Sequence, residues 1–544
     1  MTSPTPDRAP RGTRPPDTPH GALPAVPGGR PARTPAPARK GLGTPRRGRD
    51  GSGARERASG LRRWAGTTPA RVWLLSSACV LAVLGLFGSA AATLGQTRAD
   101  LHVLGVDAGP QALATTDLYL ALADMDARVA DVLLMGTDQD LRADREDALE
   151  GYEASRARAN EALLQAASLT EEDEDEDSAE GPNVKAVQDG MGAYEQLASR
   201  AQVLNDEARA PSGRIDGEAL AAYREATQLM HTELLPKAFN LGLEASADVR
   251  VNHQEGQSSV VLGMLWVGAA GAVAVAALLG LQLYLRVRFR RRFSAPLLAA
   301  TAVAVLLTGG VVLALTVSGG QQREAKEEGL DAAMALSRAG AISTDMQADQ
   351  SRYLLEWDIE DRYQADNYQQ VYFERAQQVL YRPADNLEEY YTAIEGVVAA
   401  YPEPPVPSGS EENAPEDDPG TLGYLGQRAQ IAPLSGHEGE LAEVLEAYNA
   451  LQAEDRALRS AVGEGDLAGA VDIRIGVASS GDGAFQTYED ALSELFGLHE
   501  DAFNEGIARG GAALDPWEWL LPAATALVLA LIALGIRPRL AEYR

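Results

Sequence analysis

The chain has 544 residues, 45% of them hydrophobic and 23% charged, with a formal net charge of −30. That length exceeds what one hydrophobic core usually holds, and the apolar content excludes a wholly disordered chain. The charge is segregated: residues 1–71 carry 15 Arg/Lys against four acidic residues, and 286–292 hold five Arg. Segregation of this kind is a topology signal. Arg supplies 44 of the 48 basic residues, the usage of a GC-rich genome, so the Arg content points to no nucleic-acid partner.

Residues 1–71 are rich in Pro, Arg, Gly and Thr and poor in large apolar residues. They bury too little surface to offset chain entropy and read as a disordered basic arm. An apolar run follows at 72–94, and three more occur at 260–284, 296–317 and 518–536. Each is near the ~20 residues that cross about 30 Å of hydrocarbon as a helix. None carries a charge at its centre, and Trp64, Trp73, Trp266, Trp517 and Trp519 sit at or near their ends. The small-residue end of the first run, Gly88-Ser89-Ala90-Ala91-Ala92, resembles a cleavage site. The segment before it is far too long for a signal peptide, so an uncleaved span is expected. The Arg-rich flanks place the arm, the loop 285–295 and the tail 537–544 in the cytoplasm, leaving 95–259 and 318–517 outside the cell membrane.

Both outer segments read as helices. In 95–259, Leu118, Leu122, Met125, Val129 and Val132 form a stripe at three- and four-residue steps, which Gly136-Thr137-Asp138 interrupts. Tyr152 and Leu163 mark a second helix, followed by the acidic run Glu171–Asp177. Val187, Tyr194, Leu197 and Leu204 mark a third, and Leu220, Tyr223, Met230, Leu234 and Leu241 a fourth. In 318–517 the same plan recurs. Ile342, Met346, Tyr353 and Trp357 come first, then Tyr368, Tyr372, Ala376 and Val379. A Pro- and acid-rich loop from Tyr401 to Gly420 precedes the stripes Leu441–Leu451 and Tyr488–Leu498. The expected fold is an all-α membrane protein with four transmembrane helices and two tandem extracytoplasmic four-helix-bundle domains. The only cysteine, Cys79, lies in the first span, so no disulfide supports the outer domains.

Candidate functional residues are few. The six histidines lack ligand spacing, and no phosphate-binding loop or nucleophile motif occurs, so no metal, cofactor or catalytic residue is expected. Asp124, Asp126 and Arg128 cluster on the first outer helix, either as a ligand or partner surface or as a solvated face. Gly268, Ala272, Ala276 and Gly280 set small residues every fourth position along the second span, a pattern that lets helices approach closely. Arg286, Arg288, Arg290, Arg291 and Arg292 offer a contact for anionic membrane lipid or for an acidic cytosolic partner. The cytoplasmic segments are too short for an enzymatic output domain. A relay to a separate protein is therefore expected, the alternative being a structural envelope protein or transporter accessory subunit.

This layout resembles the GlnX-like membrane proteins of actinobacteria, and each outer bundle resembles the four-helix ectodomains of chemoreceptors. The matching segments are Tyr119-Leu120-Ala121-Leu122-Ala123-Asp124 soon after the first span and Leu234-Leu235-Pro236-Lys237-Ala238 before the second. The resemblance implies sensing of amino-acid availability through an extracytoplasmic solute-binding lipoprotein (GlnH-like), relayed to a cytosolic Ser/Thr kinase similar to protein kinase G. It leaves open whether the protein is a homodimer.

Overall fold

The computed structural model describes residues 68–170, 180–289, 294–357, 362–401, 423–425, 437–479 and 483–541. Residues 1–67 of the basic arm, the acidic run Glu171–Asp177, most of the loop 401–420 and Arg290, Arg291 and Arg292 lie outside the described residues, and the last four residues of the arm open the first helix.

Helix α1 (Thr68–His102) runs through a π-helical segment, Val103–Ala108, directly into α2 (Gly109–Met135). Next come α3 (Arg142–Thr170), α4 (Glu180–Ala208) and α5 (Gly217–Leu229). A second π segment, Met230–Leu234, leads into the long α6 (Leu235–Phe289). The second half repeats the opening: α7 (Ala295–Glu324) passes through π segment Ala325–Leu330 into α8 (Asp331–Leu355). Then follow α9 (Tyr363–Val379), α10 (Leu387–Ala400), α11 (Glu438–Glu464), α12 (Leu467–Ser479), α13 (Ala484–Leu514) and α14 (Trp517–Ala541). Helices α10 and α12 were not among the expected stripes. Asn386 caps α10 by accepting from the Glu389 N–H at 3.0 Å, while Glu389 accepts in return from the Asp385 N–H at 3.0 Å.

Local chemistry explains the breaks. At Gly136 the chain turns with φ of +58°, and a Cβ there would lie 2.4 Å from the Ala210 carbonyl oxygen. Glycine is the residue that accepts both demands. The turn is pinned to the α4–α5 connection by Thr137 N–H donating to Ala210 O at 2.9 Å and Gly213 N–H to Leu134 O at 2.8 Å. Asp216 caps α5 by accepting from Glu218 and Ala219 N–H groups.

Among the described residues, four helices are long and apolar enough to cross a membrane: α1, the second half of α6, α7 and α14. They close into a ring in which α1 lies beside α6, α6 beside α7, α7 beside α14, and α14 beside α1. Residues at three-, four- and seven-residue steps face inward, such as Val72, Cys79, Val83, Leu86 and Ala90 on α1 and Leu297, Ala300, Ala304, Leu307 and Val311 on α7. Leu81, Leu265, Trp266, Leu306 and Trp519 project outward. So large an apolar exterior requires lipid, and the chain is a multi-pass all-α membrane protein. Gln282 is buried near one end of the ring, its amide donating to Leu297 O at 2.9 Å and to Thr301 Oγ1 at 2.8 Å.

The small-residue stripe on the second span points the other way. Ala272, Ala276 and Gly280 are exposed, Gly268 is half-buried, and a Cβ on either glycine would meet nothing within 4 Å. The intrachain close approach uses the neighbouring face instead: a Cβ at Gly271 would lie 2.4 Å from Thr308, and one at Gly263 2.3 Å from Thr93. The α6 helix must show its larger inward residues, Val267, Leu278 and Leu281, to the ring, which turns the stripe outward.

Beyond the ring, where two tandem bundles were expected, helices of the two halves pack into a shared core. Leu118, Leu122, Tyr194, Tyr223 and Leu234 from the first half pack in one cluster with Tyr353, Leu354, Leu458, Val462 and Ile475 from the second. The reason lies in α2, which is buried at 20 of its 27 positions. A helix apolar on nearly every side needs cover on a second face, and α8 supplies it. A further cluster, built around Ile342, Tyr372, Tyr390, Tyr448 and Leu495, belongs to the second half alone.

Candidate polar seam between the two halves

Where α2 meets α8, the buried contact is ionic rather than purely apolar. Asp126 is fully buried and pairs with Arg352, which is 1% exposed. Tyr194 O–H donates to the other carboxylate oxygen of Asp126 at 2.9 Å, and Arg352 Nε donates to Tyr223 O–H at 3.2 Å. Arg352 also reaches Asp349 at 2.6 Å. Asp349 in turn pairs with Arg375 of α9, whose guanidinium lies 3.4 Å from Asp345. His231, in the second π segment, completes the cluster. Its Nδ1 is 3.3 Å from Arg375, and because a guanidinium only donates, Nδ1 must accept. Its Nε2 then faces Asp126 at 3.6 Å and Asp345 at 4.0 Å.

A second knot lies farther along the same helices. Asp131 of α2 accepts from Ser351 of α8 at 2.7 Å and from Arg474 of α12 at 2.6 Å. At the edge, Arg224 of α5 pairs with Glu356. Helices from both halves thus grip one another through carboxylate–guanidinium contacts withdrawn from water. Burial alone would push the Asp126 carboxyl up, but Arg352, His231 and Tyr194 outweigh it and hold the group at about 2.

The sequence-based candidates divide sharply here. Asp126 is no surface residue; it is the first-half anchor of the seam. Asp124 is also buried, and accepts from Arg158 at 2.9 Å, from Arg128 Nε at 3.2 Å and from Ser155. Arg128 keeps about a third of its side chain exposed. Neither a solvated face nor an open docking surface describes the three, because α2 is covered on both sides. Arg286 sits exposed near the end of α6, and the side chain of Arg288 lies outside the described residues. The seam residues of α8 and α9 escaped sequence reasoning. The available signal was the spacing Asp345, Asp349, Arg352, which places all three on one helix face, about a quarter turn round from the apolar residues Met346 and Tyr353.

Residues 100–254, which comprise α2 to α5 with the adjoining parts of α1 and α6, match the family described as an actinobacterial sensor domain. That match supports a sensing or signalling role. Comparison with curated proteins and with solved structures finds no match to the chain.

Proposed function

We propose that the protein is a non-enzymatic transmembrane signal relay. The observation that carries this reading is mechanical: α1–α2 and α7–α8 are continuous helical runs from the span ring into the polar seam. Any event that favours another arrangement of the seam is thereby transmitted to two spans. The sensor-domain match supports the input side. The resemblance to GlnX-like proteins supports the finer assignment, in which a GlnH-like lipoprotein reports extracytoplasmic amino acid and a protein kinase G-like enzyme receives the signal. Such a partner shifts the equilibrium only by its difference in affinity for the two seam states. Charge segregation supports an orientation with arm, Arg-rich loop and tail in the cytoplasm.

Kinase-substrate phosphorylation in response to extracellular amino acid tests the relay. Deleting the gene should abolish the response, and the wild-type chain should restore it. A chain with Asp126→Leu and Arg352→Met, which replaces a buried pair by apolar volume, should reach the membrane at normal levels yet fail to restore it. A response that persists without the protein would favour the structural role. Orientation is checked with an impermeant thiol reagent in a Cys79→Ala background. Cysteine at Ser178 or Ser410 should react on intact cells, whereas cysteine at Ser294 should not.

A further inference from the structure

Next to the polar seam lies a cavity of about 240 Å³. It is walled by Asp117 and Leu120 of α2, Arg158 of α3, a stretch of α8 from Leu336 to Thr344, and a stretch of α13 from Phe485 to Phe496. Both halves of the chain therefore contribute to it, on helices that continue into spans. Its volume is that of several water molecules, or of one small organic molecule.

The lining has a definite chemical character. Arg158 is already matched, donating to Asp124 at 2.9 Å and to Ser155 Oγ at 2.9 Å. The two remaining charges on the wall, Asp117 and Glu489, are both negative. Phe485, Tyr488, Phe496, Leu336 and Leu492 supply an apolar and aromatic surface. Separately, Ser337 lines the cavity while 93% buried, and its hydroxyl oxygen is buried with no hydrogen-bond partner among the described residues. A hydroxyl withdrawn from bulk water costs free energy unless something in the cavity bonds to it.

We propose that this cavity is a binding site for a small organic monocation: a protonated amine on an apolar body. Asp117 and Glu489 offset its charge, Ser337 Oγ accepts from its ammonium, and the aromatic rings receive the body and favour the cation. Burial pushes Asp117 up to about 6, with Glu500 adding to the rise and Arg158 opposing it, and burial also raises Glu489. This goes beyond the relay reading, which needs only a protein partner and holds equally with the cavity unused.

Phenethylamine is the probe, titrated calorimetrically into the full chain in detergent. 2-Phenylethanol serves as its uncharged counterpart and 3-phenylpropionate as the anionic one. Saturable binding of phenethylamine is expected, with neither counterpart competing at equal concentration. The isosteric pair Asp117→Asn with Glu489→Gln should weaken it about tenfold or more, the scale of a lost hydrogen bond to a charged group. Ser337→Leu, which fills the cavity, should abolish it in a protein of unchanged helicity. Absence of saturable binding, equal binding of 2-phenylethanol, or undiminished binding by the well-folded Ser337→Leu protein would each overturn the proposal.

Discussion

Helices α2 and α8 occupy equivalent places, each entering from a span through a π segment, and both are buried over most of their length. They reach that burial by opposite means. In α2 the interior is mostly Ala, Leu, Val and Met, with Asp124, Asp126 and Asp131 as isolated carboxylates. In α8 the stretch Ser343–Arg352 is almost wholly polar and still buried, with Thr344, Asp345, Gln347, Asp349, Gln350 and Ser351 among its members. A polar helix enters a core only when its groups find partners, and several of those partners are Asp126 and Asp131 of α2 and the hydroxyl of Tyr223. Neither helix is explicable without the other.

The largest test of this contrast removes one charge from α8. Arg352→Met leaves Asp126 buried without its guanidinium, and Asp349 with Arg375 alone, and should cost about 3–5 kcal/mol. Adding Asp126→Leu and Asp349→Leu should recover much of that loss. Unfolding of the detergent-solubilised chain measures both, and equal losses in single and triple variants would mean that charge pairing is not what admits α8 to the core.

On the α2 side, Leu122→Ala should cost about 2–5 kcal/mol, because the side chain is fully enclosed and its removal leaves a cavity. The span ring gives a smaller effect with an internal control. Gly271→Leu meets Thr308 and should destabilise by about 1–3 kcal/mol, whereas Gly280→Leu projects into open space and should change little. Equal effects would place the packed face of α6 wrongly.

The smallest effect is a pH dependence with a defined sign. The Asp117 carboxyl is raised to about 6 in the fold from an ordinary 3.8, so the unfolded chain loses that proton first. The residue therefore lowers stability as pH rises from about 4 to about 6, and subtracts nothing below that window. Asp117→Asn should raise the melting temperature at pH 8 and leave it unchanged at pH 4. An equal rise at both pH values would trace the gain to something other than ionisation.

Much of this was legible in the sequence because lipid imposes a strong rule on composition. The four apolar runs and the Gly136 break could be read residue by residue. The seam could not, since hydropathy ranks Asp126 and Arg352 as surface residues and only a partner from the other half of the chain reverses that ranking. The stripe Gly268–Gly280 misled for a related reason: small residues show that a face can be approached, not that this chain approaches it. Helix α10 was hidden between an aromatic stripe and a Pro-rich loop, where its Asn386 cap was the legible sign.

The π segments Val103–Ala108 and Ala325–Leu330 carry a consequence for how the chain tolerates insertion and loss. Their hydrogen bonds run to the fifth residue instead of the fourth, so each holds a surplus residue within an otherwise α-helical run. Deleting one residue inside either segment lets the run relax to plain α-helix while span and seam keep their phase. The same deletion a few turns away, in uninterrupted α-helix, rotates everything beyond it by about 100° and shortens the rod by about 1.5 Å. Arg352 would then face away from Asp126, or the inward residues of the ring would face lipid. Each half of the molecule thus has, where its opening span meets the seam, a place where its length can change by a residue without scrambling which side chains meet.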